Sequence, residues 1–224
     1  MKKHLTFRLL ALAAAALLGA AVFSCGCDKE KSARRESARQ TLNGNAALEG
    51  GRWEEAVHCY NEALHEYPRN TEALYGRSCV RLVTGKEFYL LARAAASEGE
   101  TTRAGEIASK ADRDFAQAAE DAAALLKIDP DSSDACYVLG CVALYQADWQ
   151  GALDAFSETI RRAPQMASAY QRRGEVYGFI NDLENESADL KRAAELGYTS
   201  EEESESFGDE FPETAETESH RELY

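Results

Sequence analysis

Residues 130–164 read PDSSDACYVLGCVALYQADWQGALDAFSETIRRAP, a stretch that opens on Pro130 and closes on Pro164. The interval between these prolines equals the interval between Gly140 and Gly174, which gives a 34-residue period. Ala135-Cys136-x-x-Leu139-Gly140 aligns with Ala169-Tyr170-x-x-Arg173-Gly174, and Trp149-x-x-Ala152-x-x-x-Phe156 with Leu183-x-x-x-Ser187-x-x-Leu190. A glycine fixed in one helix and a proline just past the next mark a stacked helical hairpin. Two independent spacings of equal length argue against a non-repeat bundle.

Working backwards, Gln40-x-x-Asn43-Gly44-x-x-Ala47, Ala56-x-x-x-Tyr60 and Pro68 repeat the pattern. It opens again at Leu74-x-x-Arg77-Ser78, and its second half reappears as Ala118-x-x-x-Ala122 and Pro130. One period and a 28-residue excess separate Pro68 from Pro130. The count is four repeats, about 37–70, 71–132, 133–166 and 167–198, the second carrying an insertion at 86–113. Gly44, Ser78, Gly140 and Gly174, with Ala56, Ala118, Ala152 and Ser187, mark where paired backbones approach. Tyr60, Phe115, Trp149, Phe156, Leu183 and Leu190 are expected to fill the space between them. Pro68, Pro130 and Pro164 stop the second helices, and Ser133 and Asp134 are expected to cap the next one.

These residues resemble the tetratricopeptide repeat (TPR) over about 37–198, with 133–166 the nearest match. Repeat four has Gly197-Tyr198 where a closing proline would stand, and repeat one has polar Gln40 and Asn43 at sites that usually pack. The resemblance implies an all-α fold, a right-handed α-solenoid of four helix-turn-helix hairpins, each stacked on the next because none can bury its apolar face alone.

Within the insertion, turn chemistry is confined to 97–102, and helix-forming sequence runs on both sides of it. Half of the excess is about 14 residues, or about four turns. The economical expectation is a long hairpin, 72–97 and 102–128, with its tip near Gly99. The alternative is a separate short helix at 87–97 after a break at Gly85.

The ends carry different signals. Lys2, Lys3 and Arg8 precede an apolar run from Leu9 to Phe23, which is shorter than the ~20 residues that span a bilayer. Residues 1–24 read as a secretory signal peptide. Val22-Phe23-Ser24-Cys25 resembles the bacterial lipobox, which implies acylation of Cys25 and a lipid anchor on the periplasmic side of a membrane. Cys27 fits the lipobox less well, with Ser24 and Cys25 at the aliphatic and small positions before it; the alternative to acylation is an ordinary cleaved leader. Polar residues 25–36 are expected to be a flexible tether. Residues 199–224 form an acidic tail; from 201 onward it holds ten Asp/Glu and one Arg. That composition does not order itself. The tail is either a solvating segment or a partner-binding one anchored by Phe207, Phe211, Leu223 and Tyr224.

The chain has a net charge of −14, and −17 without residues 1–24. That argues against nucleic acid and an anionic lipid surface as direct partners. Cys59, Cys79, Cys136 and Cys141 show no C-x-x-C spacing and read as buried or groove-facing residues. His58, Glu62 and His65 share a helical face, read as solvated rather than metal-binding. Phosphate-loop, nucleophile-elbow and metalloprotease motifs are missing, so no enzyme, cofactor or small-molecule substrate is expected.

The TPR resemblance implies that a protein partner binds in the concave face lined by the first helices. The expected groove residues are Asn45; Tyr75, Cys79 and Leu82; Tyr137, Cys141, Leu144 and Tyr145; and Gln171, Glu175 and Phe179. Leu82, Leu144 and Tyr145 either line that groove or complete the core. The Lys and Arg residues of chaperone-tail-binding TPR proteins are not in this set. An apolar helix or peptide is the expected ligand. The expected function is a membrane-anchored docking scaffold in a cell-envelope complex. The alternative is a regulatory or carrier subunit acting on an envelope enzyme through the hairpin or the tail.

Overall fold

The computed structural model describes residues 29–198, and every regular element among them is an α-helix. Residues 1–28 and 199–224, with the leader, Cys25 and the acidic tail, lie outside the described residues. Eight helices follow in order: α1 (29–49), α2 (Trp53–Glu66), α3 (Thr71–Ser97), α4 (Thr101–Ile128), α5 (Ser133–Tyr145), α6 (Trp149–Arg162), α7 (Ala167–Phe179) and α8 (Leu183–Glu195). They form four antiparallel hairpins. Each hairpin packs on the next, and the first helices α3, α5 and α7 lie side by side. The fold is the α-solenoid that the 34-residue period predicts. None of these helices is long and apolar enough to cross a membrane.

The period works through one contact. A Cβ at Gly140 would come 2.6 Å from the Phe156 ring, and one at Gly44 2.6 Å from the Tyr60 ring. At Gly174 the nearest atom is Leu190 Cδ2, 3.0 Å away. Each glycine lets a large side chain of the second helix lie flat on the backbone of the first. Pro68, Pro130 and Pro164 each follow a residue outside helical geometry: Tyr67 (φ −141°), Asp129 (φ −127°) and Ala163 (φ −129°). A proline disfavours helical geometry in the residue before it, so α2, α4 and α6 end there.

The second hairpin is long: α3 and α4 have 27 and 28 residues, where the helices of the other described hairpins from α5 onward have 13 or 14. α3 runs through Gly85 without interruption, so the separate short helix is not formed. Gly85 is a packing point: a Cβ there would lie 2.7 Å from the Phe115 ring. Gly51, Ala147 and Asn181 have left-handed φ of 66°, 55° and 59° at the turn between paired helices. Gly99 (φ 83°) is their counterpart at the hairpin tip. Its offset from Gly51 is one period plus half of the 28-residue excess, so the insertion is divided equally between the two helices. Buried Ala92, Ala95 and Ala104 let the outer turns pack closely.

Four expectations change. Residues 29–36, expected as tether, are helical and lead into α1. The Glu30–Arg34 pair at 2.6 Å supports them, and just beyond, Ser37 is fully buried and donates to Ala63 O at 2.6 Å. The cap of α5 is Ser132, which accepts from Ala135 N, so Ser133 and Asp134 fall in the first turn. Ser187 is exposed, because the 34-residue register places Glu186 at the helix contact, over Gly178. Leu183 is 64% exposed. Its counterparts Phe115 and Trp149 stack on rings supplied by the following hairpin, and no hairpin follows α8 among the described residues.

Candidate protein-docking groove

The first helices place the predicted groove residues in one row, but they are not equally open. Tyr75 and Cys79 on α3, Tyr137 on α5, and Gln171, Glu175 and Phe179 on α7 are half-buried. Leu82, Cys141, Leu144 and Tyr145 are enclosed, between 0% and 6% exposed, and belong to the core rather than the groove. All four belong to one core cluster, and the Tyr145 ring is covered from both helices of the second hairpin. Phe115 of α4 stacks on Tyr145 with ring centroids 5.0 Å apart, and Tyr89 of α3 closes over the same ring at 6.0 Å. Asn45 is held in structure: it accepts from the Tyr60 hydroxyl at 2.7 Å and donates to Glu72 at 2.9 Å. Thr41, one turn earlier, is fully buried and receives a hydrogen bond from Asn70, the N-cap of α3. Phe179 stacks on Trp149 at 5.0 Å, so its ring is shared with the wall of the hairpin before it.

What remains open is a two-tyrosine floor with polar edges. The Tyr75 hydroxyl is pushed well up from its ordinary value, first by the neighbouring Cys79 and then by burial. Burial pushes the Cys79 thiol up to about 11 and Cys141 to about 12. Tyr137 is likewise pushed up by burial, and it lies 5.8 Å from the Phe156 ring. These groups therefore stay protonated at neutral pH and offer neutral O–H and S–H groups, not nucleophiles. The cation beneath the row, Arg172, is buried and donates to Glu175 at 3.0 Å; Gln171 donates to the same carboxylate at 3.0 Å. Glu72 and Asp134 stand at the other edge, with the Asp134 carboxyl raised by burial and then by Asp129. The rim is acidic, and its Arg is already engaged.

Paired residues that the sequence reading passed over stiffen the walls behind this row. Arg77 makes two bonds to Asp121, at 2.8 and 2.6 Å, and Arg173 two to Asp189, at 2.7 and 2.9 Å. Each Arg precedes the small packing residue of its first helix, Ser78 or Gly174. Each Asp occupies the corresponding place in the second helix, so the signal was present in the repeat register. Two-pronged Arg–carboxylate geometry fixes the rotation of one helix against the other. His58 and His65 are exposed, and among the described residues no His/Cys/Asp/Glu cluster could hold a metal. All four repeat cysteines are free thiols.

Four stacked helical hairpins, with a partly aromatic row along the first helices α3, α5 and α7, define a helical-repeat solenoid. The chain belongs to the tetratricopeptide-repeat family, whose model matches residues 41–86, 110–167 and 137–177. TPR proteins mediate protein–protein interactions. No curated protein matches the chain. Among solved structures it is similar to a thermophilic TPR protein of Thermus thermophilus (23% identity, TM-score 0.52, covering 75% of this chain and 78% of that one). It is also similar to the TPR domain of Arabidopsis OM64 (20% identity, TM-score 0.49, covering 65% and 98%). At these identities the likeness concerns the fold alone.

Proposed function

We propose that this protein is a non-catalytic docking scaffold of the bacterial cell envelope, anchored through an acylated Cys25, that receives an apolar segment of a partner protein along α3, α5 and α7. The observation that carries the reading is the half-buried pair Tyr75 and Tyr137, on adjacent first helices above Cys79. Such rigid aromatic side chains anchor bound peptides. The acidic rim of Glu72, Asp134 and Glu175 favours a segment with basic residues beside its apolar ones. The lipobox resemblance at Val22-Phe23-Ser24-Cys25 supports the anchor; two or more acyl chains hold a protein firmly to a bilayer, whereas one is marginal.

Affinity capture from solubilised envelope tests the groove. The mature protein is compared with a Tyr75→Ala/Tyr137→Ala variant whose helical circular dichroism is unchanged. A protein retained by the first and lost from the second supports the groove; equal retention rejects it. Mass spectrometry of the mature N-terminus tests the anchor, since an unmodified Cys25 rules it out. The regulatory-subunit alternative is favoured by one feature, an open cleft of about 680 Å³ between α2 and the long hairpin, lined by Trp53, Val57, Phe88, Lys110 and Arg113. Loss of capture on deleting 201–224, with capture by the tyrosine variant intact, would select it.

A further inference from the structure

Each first helix from α3 onward packs on the second helix before it. The residues two before and two after the small packing residue belong to that joint: Gly76 and Val80 on α3, Val138 and Val142 on α5, Arg172 and Val176 on α7, all buried. They face the preceding hairpin. A Cβ at Gly76 would lie 2.5 Å from the Tyr60 ring of α2, and Val80 shares a core cluster with Tyr60. On α1 the same places, two before and two after Gly44, hold Leu42 and Ala46. Leu42 is 66% exposed, Ala46 is exposed too, and no helix precedes α1 among the described residues.

The other half of the same joint is open at the far end. Leu183, Ser187 and Lys191 on α8 hold the places of Trp149, Leu153 and Ser157 on α6. On α6 this face meets α7: Trp149 stacks on Phe179, and Ser157 accepts from Arg173 at 3.1 Å. On α8 all three residues are exposed, and so is Ile180 at the turn before them. Charge divides between the two ends. Residues 29–39 of α1 hold five Lys/Arg and two Glu, with Glu30 paired to Arg34 and Glu36 to Arg39. Lys29, Lys31 and Arg35 make no ion pair among the described residues. The far end runs on into the tail, whose residues 201–205 include four Glu.

We infer that copies of this chain stack head-to-tail, α1 of one copy packing on α7 and α8 of another, so that the solenoid continues across the joint. The chain carries both faces of a contact that it makes three times internally, at α2/α3, α4/α5 and α6/α7, and each outer face is left with an exposed leucine. A heterologous contact of this kind builds open rows. Within the chain, α7 starts a few residues after α6 ends. In the same register, Ser37 of the incoming copy takes the place of Ala167. The two turns before it, 29–36, then lie beside the point where the acidic run leaves α8. Lys31 and Arg35 meet the glutamates of 201–205 there, which lets a chain of net negative charge associate at its ends. Leu183 meets Glu49, at the place of Phe179, rather than a ring, so the joint is weaker than an internal one and forms reversibly. The inference does not rest on the groove or on the anchor.

The test uses the full mature chain with Leu42→p-benzoylphenylalanine, mixed with isotope-labelled chain in detergent so abundant that copies rarely share a micelle. Irradiation and mass spectrometry should show cross-links between labelled and unlabelled chains, at 167–195, in a yield that rises with protein concentration. Leu183→Asp in both chains, at an exposed site where the fold tolerates it, should lower that yield by about tenfold, since the joint would bury the new carboxylate. Lys31→Glu/Arg35→Glu should lower it by about threefold at low salt. The same probe at Leu91, exposed on the long hairpin away from both ends, should not reach 167–195. Cross-links confined to one chain, cross-links only between two α1 helices, none above background, equal yield from the Leu91 probe, or a yield unchanged by Leu183→Asp would each overturn the inference. A different protein cross-linked to the Leu42 probe in envelope extract, in place of a second copy, would overturn it as well.

Discussion

The hairpins α5/α6 and α3/α4 close on the same kind of contact at different distances from their ends. In α5/α6 the glycine and the ring, Gly140 and Phe156, meet at the regular crossing of the repeat. In α3/α4 they are Gly85 and Phe115, about two turns further out, while the regular crossing carries Ser78 and the Arg77–Asp121 pair. The difference shows that a solenoid can lengthen one repeat while its neighbours keep their register: Phe115 keeps the place that Trp149 has in the next hairpin, and meets a glycine, Gly85, further along a longer first helix. It also explains why Tyr145 is enclosed. The Phe115 ring lies on it as Trp149 lies on Phe179, and the extra turns of α3 bring Tyr89 over it.

The largest effect expected is from the rings. Phe156→Ala and Phe115→Ala should each destabilise the domain by about 3–5 kcal/mol in urea unfolding, since each leaves a cavity in a closed core. A loss under about 1 kcal/mol for Phe115→Ala alone would break the equivalence of the two hairpins. Next come the glycines. Gly140→Ala and Gly85→Ala force a Cβ into ring contacts of 2.6 and 2.7 Å, and each should cost about 1–3 kcal/mol by overpacking. The same substitution at Gly105, which meets nothing within 4 Å, should stabilise by up to about 1 kcal/mol through helix propensity. Opposite signs at Gly85 and Gly105, in one hairpin, sharpen the comparison; equal signs would undo it. The smallest effect lies at the turns. Ala147 holds φ 55° where the long hairpin has Gly99, so Ala147→Gly should raise the melting temperature, with a gain of roughly 0.5–1 kcal/mol.

Much of this was legible because period is a property of spacing. Gly44, Gly140 and Gly174, the three prolines and the 28-residue excess point to four hairpins, whereas the equal division of the insertion stood beside a rival until the Gly99 turn located the tip. The groove was less legible, because exposure in a repeat depends on which hairpin comes next. Leu144 and Tyr145 share the face predicted for the groove, yet both are buried in the core, Tyr145 under the rings of Phe115 and Tyr89. Leu183 sits at a packing position, yet α8 ends the described stack. The Arg–Asp pairs were readable in register, had Arg77 and Arg173 been matched to Asp121 and Asp189. The cleft by Trp53 was not readable from one repeat alone. It arises from two hairpins of unequal length.

The docking groove is tested most directly by hydrogen exchange of the mature protein, alone and with the captured partner bound. The account predicts slowed exchange along one face of α3, α5 and α7, centred on Tyr75, Tyr137 and Gln171. Slowing confined to α2 and α4, with those three helices unchanged, would contradict it.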